Sequence, residues 1–199
     1  MTLYRAAIAA AALALAAIAG CGSSNGTGSQ DAGFTVNGKA FVAASTEAAI
    51  KATPAGQPLC PYDAGTCPYL ELVISNSVEA ACTGGTFAAP VSIANSVSLE
   101  FEVAWPAGSA MAPGTHSTQP YGQADDAGVF MFPGGINSIA MCAETGGVSV
   151  QDGTVTFTSA SASLIAGTYE LSFFDSPYKL SGTFSTAPCA FPTTTVECH

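Results

Sequence analysis

Val97-Ser98-Leu99-Glu100-Phe101-Glu102-Val103 alternates apolar and polar side chains at every step. Successive residues of an extended strand point to opposite sides. Val97, Leu99, Phe101 and Val103 therefore share one face, and Ser98, Glu100 and Glu102 the other. A helix would scatter both sets around its circumference, so the stretch reads as a strand with one buried face. Leu70, Leu72 and Ile74 repeat the pattern with Glu71 outside, and Val155 and Phe157 alternate with Thr154, Thr156 and Thr158.

Two hairpins follow from the turn chemistry. Asn37-Gly38 is a two-residue turn signal between strands at 34–36 and 39–43, which sets Phe34 opposite Phe41. Asp175-Ser176-Pro177 separates strands at 168–174 and 178–185, with Tyr169, Leu171 and Phe173 facing inward to meet Tyr178, Leu180 and Phe184. Helical signals are few: Ser45 and Ser77 read as caps of one- or two-turn helices over 46–51 and 78–82. Many short strands punctuated by Gly, Pro and Ser predict an all-β fold, an antiparallel β-sandwich or barrel-like domain with at most one or two short helices.

The N-terminal region reads differently. Met1-Thr2-Leu3-Tyr4-Arg5 carries one positive charge, residues 6–18 form an unbroken apolar run, and small residues follow, the order of a secretory signal. Residues 6–20 are too short and too alanine-rich to cross the ~30 Å hydrocarbon core of a bilayer as a permanent anchor. Ile18-Ala19-Gly20-Cys21 resembles the lipobox of bacterial lipoproteins. There the cysteine thiol accepts a diacylglyceryl group, and the small residues before it let the chain lie extended in a peptidase cleft. The resemblance implies cleavage before Cys21, lipidation of Cys21 and a second acylation on its new amine. At about 0.8 kcal/mol per buried CH₂, two or more chains hold stably where one does not. Gly22 and Ser23 follow, without the aspartate that retains lipoproteins in some inner membranes, so the expected location is the cell envelope, at the outer membrane. Residues 21–33 are Gly/Ser-rich and form a flexible tether spanning ~20 Å. That leaves 34–199 as a single β domain, a length that buries enough surface to fold without a metal.

Three segments, Gly153-Thr-Val-Thr-Phe-Thr-Ser159, Ile165-Ala-Gly-Thr-Tyr-Glu-Leu-Ser-Phe173 and Leu180-Ser-Gly-Thr-Phe-Ser-Thr-Ala-Pro-Cys189, together resemble the closing strands of uncharacterised β-rich surface lipoproteins of bacteria. The opening Phe34-Thr-Val-Asn-Gly-Lys-Ala-Phe41 resembles that family too. The resemblance implies fold and compartment and carries no catalytic residues.

Charge narrows the partners. With Arg5 in the leader, the mature chain keeps Lys39, Lys51 and Lys179 against all 14 acidic residues. Three scattered lysines cannot displace counterions from phosphates, which excludes nucleic acid as a partner. An anionic membrane surface repels such a chain, so attachment to the membrane rests on the lipid alone. A glycan or protein ligand stays open.

Cys21 apart, six cysteines remain. Their even number in an oxidising compartment reads as disulfides. The predicted set is Cys60–Cys67 and Cys189–Cys198, each closing a short turn-rich loop, and Cys82–Cys142; Cys142–Cys189 is the main competitor. The spacing of Cys60 and Cys67 is too wide for a zinc knuckle, and no metal or cofactor is expected.

Chemistry is sparse. His116 is the one histidine other than the terminal His199, in small and apolar surroundings, and reads as a strand-edge residue rather than a base. Asp125-Asp126-Ala127-Gly128 reads as a solvated turn rather than a calcium loop. Glu100 and Glu102 lie about 7 Å apart along one strand face, the residue types of a glycoside hydrolase pair. Trp105, Tyr121, Phe130 and Phe132 fall in an irregular Gly/Pro-rich stretch, where loop aromatics can stack on sugars. Three functions follow: a non-catalytic envelope or binding role, a carbohydrate-binding or adhesive module using those four aromatics, and a hydrolase using Glu100 and Glu102.

Overall fold

The computed structural model describes residues 35–36, 39–58, 60–62, 64–77, 96–119, 123–140, 143–174, 177 and 179–190. Eleven strands run through them: β1 (Thr35–Val36), β2 (Lys39–Ala40), β3 (Ser45–Pro54), β4 (Thr66–Ser75), β5 (Val97–Ala104), β6 (Gly114–Ser117), β7 (Phe130–Ala140), β8 (Ala143–Val148), β9 (Val150–Ala160), β10 (Ile165–Phe173) and β11 (Lys179–Thr186). They form a five-stranded sheet in the order β3-β4-β5-β7-β8, a four-stranded sheet in the order β11-β10-β9-β6, and a β1-β2 ribbon. Every pairing between strands is antiparallel. No helix occurs among the described residues. The architecture is an all-β, sandwich-like fold.

The alternation in β5 decides where the core sits. Val97, Leu99, Phe101 and Val103 are fully buried, and in register with them Leu70, Leu72 and Ile74 of β4 are buried as well. From the other sheet Val155, Phe157, Tyr169, Leu171, Phe173, Leu180 and Phe184 join the same apolar cluster. Burying one apolar stripe from each sheet is what stabilises the sandwich, at roughly 25 cal/mol per Å² removed from water.

Both predicted hairpins are present with shifted ends. Val36 pairs with Lys39, leaving a two-residue connection whose residues 37–38, like Phe34, lie outside the described residues. In the second hairpin Tyr169 pairs with Gly182 and Leu171 with Leu180, and the predicted inward residues are buried; Tyr178 lies outside the described residues.

The helix expected over 46–51 is a strand. Thr46, Ala48 and Ile50 pair with Ile74, Leu72 and Leu70 along β3–β4. Alanine, glutamate and lysine favour a helix by a few tenths of a kcal/mol each, and a full ladder against a buried apolar strand outweighs that. The other expected helix, over 78–82, lies outside the described residues. The stretch after Val103, read as irregular, contains β6 and leads into β7.

Glycines in the resembling segments have a packing reason. Gly182 pairs with Tyr169, whose ring lies against it, so a Cβ built at Gly182 would sit 2.6 Å from Tyr169 Cζ. At Gly167 a Cβ would strike the Thr156 carbonyl oxygen first and would also come within 2.7 Å of Phe184 Cζ. Gly182 thus leaves a gap for the ring of its neighbour, and Gly167 leaves one for both a ring and the close approach of the β9 backbone.

Candidate functional site

The outer face of β3, β4 and β5 carries the chemistry. Residues that do not face the core must face away from it, which sets Lys51 and Thr53 of β3, Tyr69 and Glu71 of β4, and Glu100 and Glu102 of β5 on this surface. Register then makes neighbours of them: Lys51 pairs with Tyr69, and Glu71 with Glu102.

The Tyr69 hydroxyl donates a 2.7 Å hydrogen bond to Glu102 Oε1. Burial, and then this bond and the charges of Glu102, Glu71 and Glu100, push the Tyr69 hydroxyl far above its ordinary value. It stays protonated and acts as a donor, never as a base. Glu71 also holds its proton above the usual carboxylate range. Burial is the leading cause and the charge of Glu102 adds to it, while a side-chain hydrogen bond with Glu100 and the charge of Lys51 work the other way. Lys51 Nζ sits 4.6 Å above the centre of the Tyr69 ring, a cation–π distance.

Beside this group lies a cleft of about 400 Å³, lined among others by Lys51, Thr53, Gln57, Pro58, Tyr69 and Glu102. Its wall is the β3–β4 loop, which the Cys60–Cys67 disulfide closes as predicted. Gly56, at φ 79°, lets the chain reverse there and donates its N–H to Cys60 O. Both cysteines are fully buried in a small cluster with Tyr69, Ala104 and Phe130, and the Tyr62 ring stands edge-on to Phe130. Thr53 is 9% exposed, and its hydroxyl has no hydrogen-bond partner.

The predicted residues are distributed as follows. Glu102 lines the cleft and Glu100 does not; Glu100 shares its hydrogen bond with Glu71 instead. Trp105 is 3% exposed and packed in the main core against Phe157, with ring centres 5.7 Å apart. Phe130 is buried in the loop cluster and Phe132 is half-buried opposite Glu102. Tyr121 lies outside the described residues, so the four aromatics are not seen as one exposed platform. Cys189 is disulfide-bonded; Cys21, Cys82, Cys142 and Cys198 all lie outside the described residues.

His116 sits on the edge strand β6 and is 5% exposed. Its Nδ1–H donates to Asp125 Oδ2 at 2.7 Å, while Asp125 Oδ1 accepts from the backbone N–H of Ala127 and Val129. The Asp125–Gly128 turn therefore spends both carboxylate oxygens of Asp125 on the protein itself. Among the described residues no group of three or more His, Cys, Asp or Glu side chains is arranged to hold a metal ion.

The sequence by itself marks Glu71 as outward but does not join it to Glu102, and it gives no prominence to Lys51, Thr53 and Tyr69. The signal for them is the alternation in 66–75, extended to a strand at 45–54.

No protein-family model, curated protein or solved structure matches the chain.

Proposed function

We propose that this is a lipid-anchored, non-catalytic binding protein of the bacterial cell envelope, tethered through Cys21 at the outer membrane and holding its ligand in the cleft beside Tyr69 and Glu102. The cleft carries the binding part of the reading. Its volume falls in the range of small-molecule sites, and Tyr69 and Glu102 on its lining are committed to a hydrogen bond that orients them rather than activates them. Tyr69 keeps its proton, Glu102 accepts from it, and Glu100 is turned to Glu71. A hydrolase needs two carboxyls converging on one bond, and one of the two expected here is absent from the cleft lining.

The tether part rests on Ile18-Ala19-Gly20-Cys21 closing an apolar leader and opening a Gly/Ser-rich linker. Intact-mass measurement tests it. The native protein is expected to begin at Cys21 with acyl groups on that residue, and Cys21→Ala to accumulate with residues 1–20 still attached. A Cys21→Ala variant that is cleaved after residue 20 and partitions into membranes unchanged would overturn the reading.

A further inference from the structure

We infer that the open margin of β6 takes a basic peptide in extended form, which adds to it as a further strand in the cleft walled by the Asp125–Gly128 turn. This margin is separate from the cleft beside Tyr69.

The backbone of β6 supplies the bonds. Register pairs Gly114 with Phe157 and His116 with Val155, and in the same series Thr118 donates its N–H to Gly153 O. Alternate residues of an antiparallel ladder turn their N–H and C=O to the partner strand. Gly114, His116 and Thr118 therefore face β9 with their main-chain groups, and Thr115 and Ser117 face away from it. The next outward residue, Gln119, gives its N–H to Met131 O of β7, which ends the margin. Thr115 and Ser117 are exposed, and their outward N–H and C=O have no hydrogen-bond partner among the described residues. Two donors and two acceptors, repeating at about 7 Å along the strand, are the groups that strand addition uses.

A second wall stands opposite. A cleft of about 360 Å³ is lined by Thr115, Ser117 and Gln119 on one side and by residues of the turn, Asp125 and Asp126 among them, on the other. Asp125 holds that turn by accepting from the N–H of Ala127 and Val129, and its 2.7 Å bond to His116 braces turn and strand together. A groove shaped before the peptide arrives lowers the ordering cost of binding.

Charge gives the partner its sign. The cleft lining carries two acids and no base. Asp126 is exposed there, and no described residue pairs with it. Peptide residues set opposite Thr115 and Ser117 turn their side chains to the same face as those two. A lysine or arginine at those positions answers Asp126, and a glutamate or aspartate is repelled.

Calorimetric titration of the detergent-solubilised full chain tests the inference, with a capped pentapeptide of alternating lysine and valine, lysine at both ends. Its glutamate-for-lysine counterpart and two N-methylated forms, one methylated at the lysines and one at the valines, are the controls. The lysine peptide is expected to bind, and the glutamate peptide at least about fivefold more weakly. Methylation at the lysines, whose N–H groups face β6, should weaken binding at least about tenfold, and methylation at the valines less than about twofold. Asp126→Asn, at an exposed position, should erase the advantage of lysine over glutamate with an unchanged melting temperature. Equal effects of the two methylations overturn strand addition. A lysine advantage that survives Asp126→Asn overturns the placement in this cleft. No binding at millimolar concentration overturns the inference, and a dimer under those conditions gives the margin to a second copy instead.

Discussion

Gly182→Ala should destabilise the protein, although a glycine replaced by alanine in an ordinary strand gains stability. The gain comes from the unfolded chain and is about 0.4–1 kcal/mol. Against it stands the Tyr169 ring, 1% exposed and packed on Phe101 at a centroid distance of 6.1 Å. A methyl carbon at position 182 would lie 2.6 Å from Tyr169 Cζ and 2.9 Å from Cε1, well inside contact distance. The ring cannot retreat without displacing Phe101, and overpacking of this kind costs about 1–3 kcal/mol. The net loss is on the order of 1–2 kcal/mol. In a chain of this size each kcal/mol lowers Tm by about 2–4 °C, so the variant should melt about 2–8 °C lower. Thermal unfolding by circular dichroism measures this directly, and a second background isolates the cause. Tyr169→Leu removes the ring at its own cost; adding Gly182→Ala to it should then cost nothing further, a coupling of about 1–3 kcal/mol. If Gly182→Ala is as stable as the native protein, or costs the same with and without the ring, the packing argument is refuted.

Three further outcomes are expected. Cys60→Ala with Cys67→Ala should lower stability by about 2.5 kcal/mol, the chain-entropy value for closing eight residues, and denaturant titration showing less than about 1 kcal/mol would contradict it. Glu71 binds its proton more tightly folded than unfolded, so its contribution is fully present below the usual carboxylate range and is lost as pH rises through the folded value. Glu71→Gln should therefore flatten the stability profile between acid and neutral pH and stabilise the protein at the upper end; a Glu71→Gln profile parallel to the native one would remove that reasoning. Asp125→Ala strips His116 Nδ1 and two backbone N–H groups of their acceptor. It should cost about 1–3 kcal/mol per buried donor left unpaired, read as a drop in Tm together with faster hydrogen exchange at Ala127 and Val129.

Strands with a clean polar–apolar beat are legible in the amino-acid sequence. Val97–Val103 and Leu70–Ile74 place β5 and the body of β4, because a half-buried strand must write its two faces into the sequence. β3 is not legible in this way, since Thr46-Glu47-Ala48-Ala49-Ile50 is short-chained and helix-prone, and its strand state depends on what β4 offers it. The disulfide at Cys60 is readable because its loop is local. The cleft is not, because its members come from β3, β4 and β5, and only register brings Lys51 to Tyr69 and Glu71 to Glu102. Trp105 shows the reverse limit: a Gly/Pro-rich neighbourhood suggests a loop, yet its apolar area is worth more in the core than on the surface.

Past β11 the chain runs on to Cys189, whose N–H donates to Ala48 O and which bridges Ala49 in parallel, at the free margin of β3. An open margin ten residues long is a template on which a second copy can polymerise. With the disulfide-bonded Cys189 seated there, a neighbouring copy would have to pry the clasp away before it could add a strand at Ala48 and Ala49.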